Sequence, residues 1–496
     1  MLTSSETPII AAVVLVVFGI LAWGFYRARP FGKLGILAWL QSVVLIIPWL
    51  LFFGLFAAGI YLNIAVVLLL LVVSTGVYIF LGRQLRREGL EAMLQQRATQ
   101  KLAADTTSDK VITEEDSRSP VLIREVMPIP ETDLNGIKGI FGIDTFFATE
   151  TIAYQEGAIF KGNLRGEPEA VHNRLTQSLQ ERLGEKYRLF LVENTDGKPV
   201  VIILPNRKED PPSLQISQKV FAVILLLATL ATSLEAAGLL LNFDLFSDTA
   251  RWKETLPIGL GVFVVLLVHE IGHWFIARRY QVRLSWPFFL PAVQIGSFGA
   301  ITRFASVLPS RKALFDIAIA GPALGGLLSL VILIIGLLLS HQGSFFQLPS
   351  QFFQSSILVG SLARVVLGAA LKSPLVNIHP LVVIGWLGLI ITALNLMPAG
   401  QLDGGRIVQA IYGRKIAGRA TIATLAVLAL ISLGNTLAMY WAIVILFLQR
   451  EQERPSLNEI SEPDDARAAL CLLALFLMIT TLLPLTPALA GRLGIG

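Results

Sequence analysis

What most constrains this chain is a series of apolar stretches, each long enough to cross a bilayer, which takes roughly 20 apolar residues. They lie near residues 8–26, 34–57, 62–82, 217–241, 256–277, 313–340, 379–397, 418–433, 434–449 and 466–489. Only 15% of the 496 residues are charged and 54% are hydrophobic, whereas a soluble domain is nearer a quarter charged. The chain therefore reads as an all-α polytopic membrane protein of about ten spans. The pair at 418–449 is tight, with Gly434–Asn435 as its turn signal. Residues 353–371 are apolar but interrupted by Arg364, which fits an interfacial helix.

Charge orients the spans. Basic clusters follow the first span (Arg27, Arg29, Lys33), the third (Arg83, Arg86, Arg87) and the fifth (Arg278, Arg279, Arg283). Others precede the sixth (Arg303, Arg311, Lys312), lie between the seventh and eighth (Arg406, Arg414, Lys415, Arg419) and follow the ninth (Arg450). With the N-terminus outside, every cluster falls on the cytosolic or stromal side, as the positive-inside rule asks. Arg251 and Lys253 fall outside, in the company of Asp244, Asp248 and Glu254. The net charge of +5 thus belongs to membrane topology, and nucleic acid is excluded as a partner. The single cysteine, Cys471, rules out an internal disulfide and makes Cys-based zinc or nucleophile chemistry implausible.

A polar stretch interrupts the spans. Residues 84–118 are charged and poor in large apolar groups, and read as a helical extension followed by a flexible linker. Residues 120–210 read as a small soluble α+β domain on the cytosolic side. EGAIFKGNLR, YRLFLVEN and PVVIILP look like strands, with TDG at 195–197 as a turn between the last two. EPEAVHNRLTQSLQERLGEKY has helical spacing, with Val171, Leu175, Leu179 and Leu183 on one face.

The fifth span carries LLVHEIGHWFIARR, in which His269, Glu270 and His273 form H-E-x-x-H. On a helix, residues i and i+4 share a face, so two imidazoles so spaced suit one zinc ion. Glu270, one position on, falls beside the metal rather than on it, where a carboxylate serves as general base. Ionisable groups inside an apolar segment are expensive and usually functional.

A catalytic zinc needs a third protein ligand. Of the other histidines, His172 belongs to the soluble domain, and His341 and His379 sit at outer ends of spans. All three read as solvated or interface side chains. The best-placed carboxylate is Asp403 in NLMPAGQLDGGRIV, near an inner membrane end and within a Gly/Pro-broken apolar segment. Asp316 is the runner-up, although pairing with a nearby Arg or Lys explains it. Depth agrees with Asp403, because His273 lies about 6 Å along the helix from Ala277 at the inner end of its span. The plain alternative for Asp403 is an N-cap of the helix that follows.

HEIGH followed by Asn395, Pro398, Leu402, Asp403 and Gly404 in the pattern N-x-x-P-x-x-x-L-D-G resembles the site-2 protease family of intramembrane metalloproteases. The resemblance implies a three-helix catalytic core, one Zn2+ held by His269, His273 and Asp403, and Glu270 as base. It also implies that Asn395 positions the substrate strand, and that the substrate is a membrane protein in the lipid bilayer. GNLR, Gly162 to Arg165, resembles the chloroplast and cyanobacterial proteases named for ethylene-dependent gravitropism deficiency and yellow-green leaves. The resemblance covers roughly 120–450 and leaves the first three spans and the last outside it; with the apolar and polar stretches the chain reads as a three-span segment (1–82), a charged linker (83–119), a soluble domain (120–213), a catalytic membrane core (214–450) and a linker with a final span (451–496). MLTSSETPII has neither a basic n-region nor transit-peptide character, which favours a cyanobacterial plasma or thylakoid membrane over a chloroplast-imported precursor.

SWPFFLPAVQIGSFGAITRF, at 285–304, is too short and broken for a span and reads as a re-entrant hairpin, either an edge strand for an unwound substrate or a simple loop. AGPALGG, at 320–326, reads as close helix packing alone. Two other functions compete with the protease. A catalytically silent scaffold or chaperone has no need of Glu270, and a transporter would be expected to show matching halves, which are not evident.

Overall fold

The structure is a computed structural model that describes residues 21–57, scattered positions between 70 and 85, 129–206, 216–449 and 451–495, apart from the single positions 155, 195 and 345. The chain divides into two compact units, 1–122 with 425–448, and 123–424 with 449–496. In the first, helix α1 (Gly32–Ala57) carries Pro48 in its interior, and Trp39 Nε1 donates to the Leu21 carbonyl at 3.1 Å. The expected linker at 83–119, apart from residues 84 and 85, and most of the first and third apolar stretches lie outside the described residues.

The second unit begins with an α+β layer. Helix α2 (Glu131–Lys138) has Glu131 and Asp133 in its first turn and Lys138 in its last, each placed with the helix dipole. Strands β1 (Phe146–Tyr154) and β2 (Gly157–Leu164) form a hairpin. Helix α3 (Pro168–Leu183) starts from Glu167, whose side chain accepts from the Ala170 amide at 2.8 Å, with Pro168 in the first turn. Strands β3 (Tyr187–Glu193) and β4 (Pro199–Pro205) complete an antiparallel sheet of order β1-β2-β4-β3. Phe146, Phe160, Leu191, Val201 and Ile203 of the sheet bury against Leu175 and Leu179 of α3 and Ile137 of α2. His172, read as a solvated or interface side chain, is buried beside Val171, because the contact face of α3 is wider than its leucine stripe.

Helices α4 (Ile216–Leu240), α5 (Trp252–Arg279) and α6 (Arg311–Leu339) follow. Between α5 and α6 lies a two-stranded hairpin, β5 (Phe288–Ala292) and β6 (Gly296–Ile301). After α6 come β7 (Phe346–Pro349), the short helix α7 (Ile357–Leu367) and β8 (Leu375–Ile378), with β7 and β8 paired. Helix α8 (Pro380–Asn395) packs on both α6 and α5, which gives three mutually packed helices. His379 caps α8 by accepting from the Leu381 amide at 3.3 Å. Helix α9 (Asp403–Ile431) continues across a break at Gly413, where φ is +79°. The break leaves carbonyls of the preceding turn without helical partners. Buried Arg311 fills that need, donating from Nε to the Ala410 carbonyl at 2.8 Å and from Nη2 to the Ile411 carbonyl at 2.7 Å.

Among the described residues, four helices are long and apolar enough to cross a membrane: Ile216–Leu240, Thr249–Arg279, Arg311–Leu339 and Asp465–Leu482. The larger number expected from hydropathy differs for physical reasons. A 16-residue helix such as α8 is about 24 Å long, short of a hydrocarbon core of about 30 Å. The stretch at 418–433 falls largely in the segment of α9 that follows the break at Gly413. Within the first unit, helix α10 (Thr436–Val444) starts where Asn435 Oδ1 accepts from the Leu437 amide at 2.9 Å and the Ala438 amide at 3.2 Å, and gives way to a π-helical turn at Ile445–Gln449.

The chain ends with α11 (Asp465–Leu482) and α12 (Pro487–Leu493). Arg467 donates to both oxygens of Asp316, each at 2.7 Å, and Tyr280 Oη donates to Asp316 at 2.5 Å. Asp316 is thereby committed to pinning α11 on α6. Buried Cys471 packs in the same cluster, with Phe315 and Ile407.

The strap of residues 451–464 links elements far apart in sequence. The Leu191 amide of β3 donates to the Leu457 carbonyl at 2.8 Å, and the Glu459 amide donates to the Leu191 carbonyl at 3.0 Å. Leu457 and Asn458 donate in turn to the carbonyls of Leu308 and Pro309, at 2.9 and 3.1 Å. The strap thus extends the β3 edge of the sheet and fastens it to the segment that leads into α6.

Candidate active site

Helix α5 places His269 and His273 on one face, toward α6. Contact there is close because small residues meet. An added Cβ on Gly272 would fall 2.5 Å from the Ala320 carbonyl oxygen. One on Gly321 would fall 2.2 Å from His273 Nε2, and one on Gly325 would fall 2.9 Å from His269 Cβ. Helix packing alone does not account for AGPALGG, since two of its glycines, spaced i and i+4 like the histidines, make room for the two imidazoles. His273 Nδ1 lies 2.7 Å from the Ile317 carbonyl. A carbonyl only accepts, so Nδ1 carries the proton and Nε2 presents its lone pair.

The third group comes from the broken segment after α8. Residues 396–402 turn back tightly, and Gly404 packs so closely that a Cβ would fall 1.9 Å from the Leu396 carbonyl oxygen. Thr421 Oγ1 accepts from the Gly400 amide at 2.9 Å, and Thr424 Oγ1 donates to the Pro398 carbonyl at 3.3 Å. The turn delivers Asp403, whose Oδ2 lies 3.1 Å from His269 Nε2 and 3.4 Å from His273 Nε2. The two Nε2 atoms are 3.2 Å apart, and all three side chains are buried.

The donor set suits zinc. Ligand atoms held at 2.0–2.1 Å by a tetrahedral ion stand about 3.3–3.4 Å from one another, close to the separations observed. A carboxylate and two neutral imidazoles are also the chemistry of catalytic rather than closed structural sites. Donor atoms of His269, Glu270 and His273 lie within 4.8 Å of one another.

Glu270, half-buried on the next position of α5, accepts a hydrogen bond of 2.6 Å at Oε2 from the Thr302 hydroxyl, just past β6. The hairpin expected at 285–304 therefore exists, and its end touches the proposed base. Asn395, the last residue of α8, is buried, and its Nδ2 donates to the Ile391 carbonyl at 3.1 Å. It also abuts β6, where a Cβ on Gly299 would fall 2.4 Å from that nitrogen. Glu270, His273, Thr302, Asn395, Asp403 and Arg406 share one small recess. A larger groove, of about 1360 Å³, lies elsewhere, between the open face of the sheet around Phe190 and Ile202 and the residues Arg311 and Arg414. It contains none of the proposed site residues.

Sequence reasoning missed Thr302, Arg406 and the two glycines. The glycines had a signal in their spacing. Thr302 had none beyond its place at the end of a hairpin.

The chain matches Peptidase family M50 over residues 258–434 and the EGY3 middle domain over residues 135–211. It is 38% identical over 380 residues to "Probable zinc metalloprotease EGY2, chloroplastic" of Arabidopsis thaliana, covering 75% of this chain and 68% of that protein. It is 38% identical over 394 residues to the EGY1 protein of the same plant, covering 72% of each. With "Probable zinc metallopeptidase EGY3, chloroplastic", also of that plant, identity is 32% over 376 residues, covering 69% of this chain and 65% of that protein. No solved structure matches the chain. The chain belongs to Peptidase family M50, the site-2 protease family. It is a zinc metalloprotease, similar over most of its length to the EGY proteins. These relatives are chloroplast proteins of plants and lend no support to the expected cyanobacterial source.

Proposed function

We propose that this metalloprotease hydrolyses peptide bonds in or near transmembrane helices of membrane proteins. The reading is carried by the convergence of His269 Nε2, His273 Nε2 and Asp403 Oδ2 within 3.1–3.4 Å of one another. That convergence is buried at the end of an apolar helix long enough to span a bilayer. A substrate already in the lipid reaches such a site without leaving it. His269, His273 and Asp403 hold the metal. Once held there, zinc supplies the Lewis acid that polarises the scissile carbonyl and makes water easier to deprotonate. Glu270 takes the proton as water oxygen attacks the carbonyl carbon, and returns it to the amine as the C–N bond breaks. Thr302 holds the Glu270 carboxylate in place.

A helical peptide bond is sterically shielded and must be extended before attack. The β5–β6 hairpin offers a strand edge for that extended segment, and Asn395 backs it. In this reading residues 214–450 form the catalytic membrane core. The basic clusters support a reading of residues 120–213 as a soluble domain on the cytosolic or stromal face of a plasma or thylakoid membrane.

The test compares wild type with Glu270→Gln in detergent, measuring zinc content and cleavage of a transmembrane-helix substrate. Both are expected to hold about one zinc. Cleavage by the variant should fall by at least about 10²-fold, the usual worth of a general base. Full activity in Glu270→Gln would sink the assignment. Zinc binding without cleavage by either protein would favour the scaffold.

A further inference from the structure

A second polar layer stands behind the proposed ligands and base. Arg406 is one turn along α9 from Asp403 and is only 6% exposed. Its Nη1 lies 4.0 Å from Asp403 Oδ1, the carboxylate oxygen not turned toward the histidines. Its Nη2 donates to the Thr302 carbonyl at 2.8 Å, and the Thr302 hydroxyl holds Glu270. One guanidinium therefore stands behind both the third ligand and the base.

Arg406 is itself held. Glu453 of the strap, also 6% exposed, accepts at Oε2 from Arg406 Nε at 3.2 Å and pairs with Nη2 at 3.1 Å. The Phe304 ring lies under the guanidinium, 4.7 Å from Cζ to centroid. Glu453 is clipped to α9 by a reciprocal pair, its amide donating to Gln409 Oε1 at 3.0 Å and its carbonyl accepting from Gln409 Nε2 at 3.1 Å. Arg414 donates to the same carbonyl.

We propose that Glu453 and Arg406 are positioning residues for the zinc site, acting through Asp403 and Thr302. This rests on the reading of His269, His273, Asp403 and Glu270 given above. Two considerations support it. First, stability alone does not call for a buried ion pair, because well-packed apolar side chains of similar volume usually do as well or better. Second, the separation of Arg406 from Asp403 is informative. A charge-assisted contact normally closes to about 2.7–2.9 Å, yet the guanidinium stands at 4.0 Å. Glu453, Phe304 and the Thr302 carbonyl hold it back. At that distance it fixes which carboxylate oxygen faces outward and leaves Oδ2 to the metal. Without Glu453, Arg406 loses that placement and no longer holds Asp403 and the Thr302 carbonyl in register.

The experiment compares wild type, Glu453→Gln and the double variant Arg406→Met/Glu453→Met in the full-length protein. Zinc retention is measured by chelator competition, alongside kcat, KM and the thermal midpoint. Glu453→Gln is expected to lose about 10- to 100-fold in zinc affinity, the usual effect of an outer-shell partner. Its kcat should fall with KM unchanged, as for an interaction that shapes the reacting centre and not substrate binding. The double variant should melt at or above wild type while keeping the low zinc affinity and low kcat. Wild-type zinc retention and kcat in Glu453→Gln, or recovery of both in the double variant, would overturn the proposal. Should Glu453→Gln fail to accumulate, the double variant decides alone. If wild type itself binds no zinc, the underlying reading of the site fails instead.

Discussion

Space around the two imidazoles is set by residues that carry no chemistry of their own. Gly321 is the sharpest case, because a Cβ there would lie 2.2 Å from His273 Nε2, well inside van der Waals contact. Gly321→Ala gains about 1 kcal/mol of helix propensity but forces the ring off its bond to the Ile317 carbonyl. The expected outcome is at least a roughly tenfold loss of zinc affinity, read by chelator competition. Gly326→Ala is the control, since its Cβ meets only the Thr392 methyl at 3.2 Å and should retain zinc. Equal retention in both variants would contradict the steric account. At this scale the sequence was informative where function demands a residue type. H-E-x-x-H and the Asp-Gly motif name imidazoles and carboxylates that few other roles explain inside apolar segments. Glu453 was illegible. A glutamate in a polar linker looks like any solvated charge until the strap folds over α9 and buries it.

Elements were legible where a single period governs them. The strands of the α+β layer and the leucine face of α3 follow from alternation and helical spacing. Breaks were harder, because hydropathy counts apolar residues without showing where the backbone turns, and the break at Gly413 lies in a polar run that carries no such signal. His172 illustrates the limit within one helix. It sits beside Val171 on the buried side of α3, and its Nε2 has no hydrogen-bond partner among the described residues. Burial holds its pKa below the ordinary value of 6.5. The unfolded layer therefore binds more protons than the folded one as pH falls through about 6.5. Stability is fully present above that pH and declines below it, toward the depressed folded pKa. Hydrogen-exchange protection factors of α3 and β3 amides should drop between pH 7.5 and pH 5, conditions chosen to bracket about 6.5, and His172→Phe should flatten that dependence. An unchanged slope in the variant would show that another group titrates.

At the scale of the whole second unit, the strap joins the sheet to the site by two separate fastenings. The Gln409 pair and Arg414 hold Glu453 on α9, and Leu457 and Glu459 extend the β3 edge. The two are separable because each closes its own hydrogen bonds. Glu459→Pro deletes the amide that donates to the Leu191 carbonyl at 3.0 Å. It leaves Asn458 in the extended conformation that proline favours in its predecessor. An orphaned acceptor there, on a residue fully buried in the sheet core, costs about 1–3 kcal/mol. Protection of β3 amides should fall by about fivefold to 10²-fold, since each 1.4 kcal/mol is a factor of ten. Glu459 also accepts from the Ser456 amide and hydroxyl, at 2.8 and 2.7 Å, so Glu459→Ala is needed to subtract the side chain. Zinc affinity in Glu459→Pro should match that of Glu459→Ala, because the clip on Gln409 does not depend on β3. If zinc affinity falls together with β3 protection in the proline variant alone, the two fastenings are one cooperative structure, and events in the α+β layer reach the metal ligands directly.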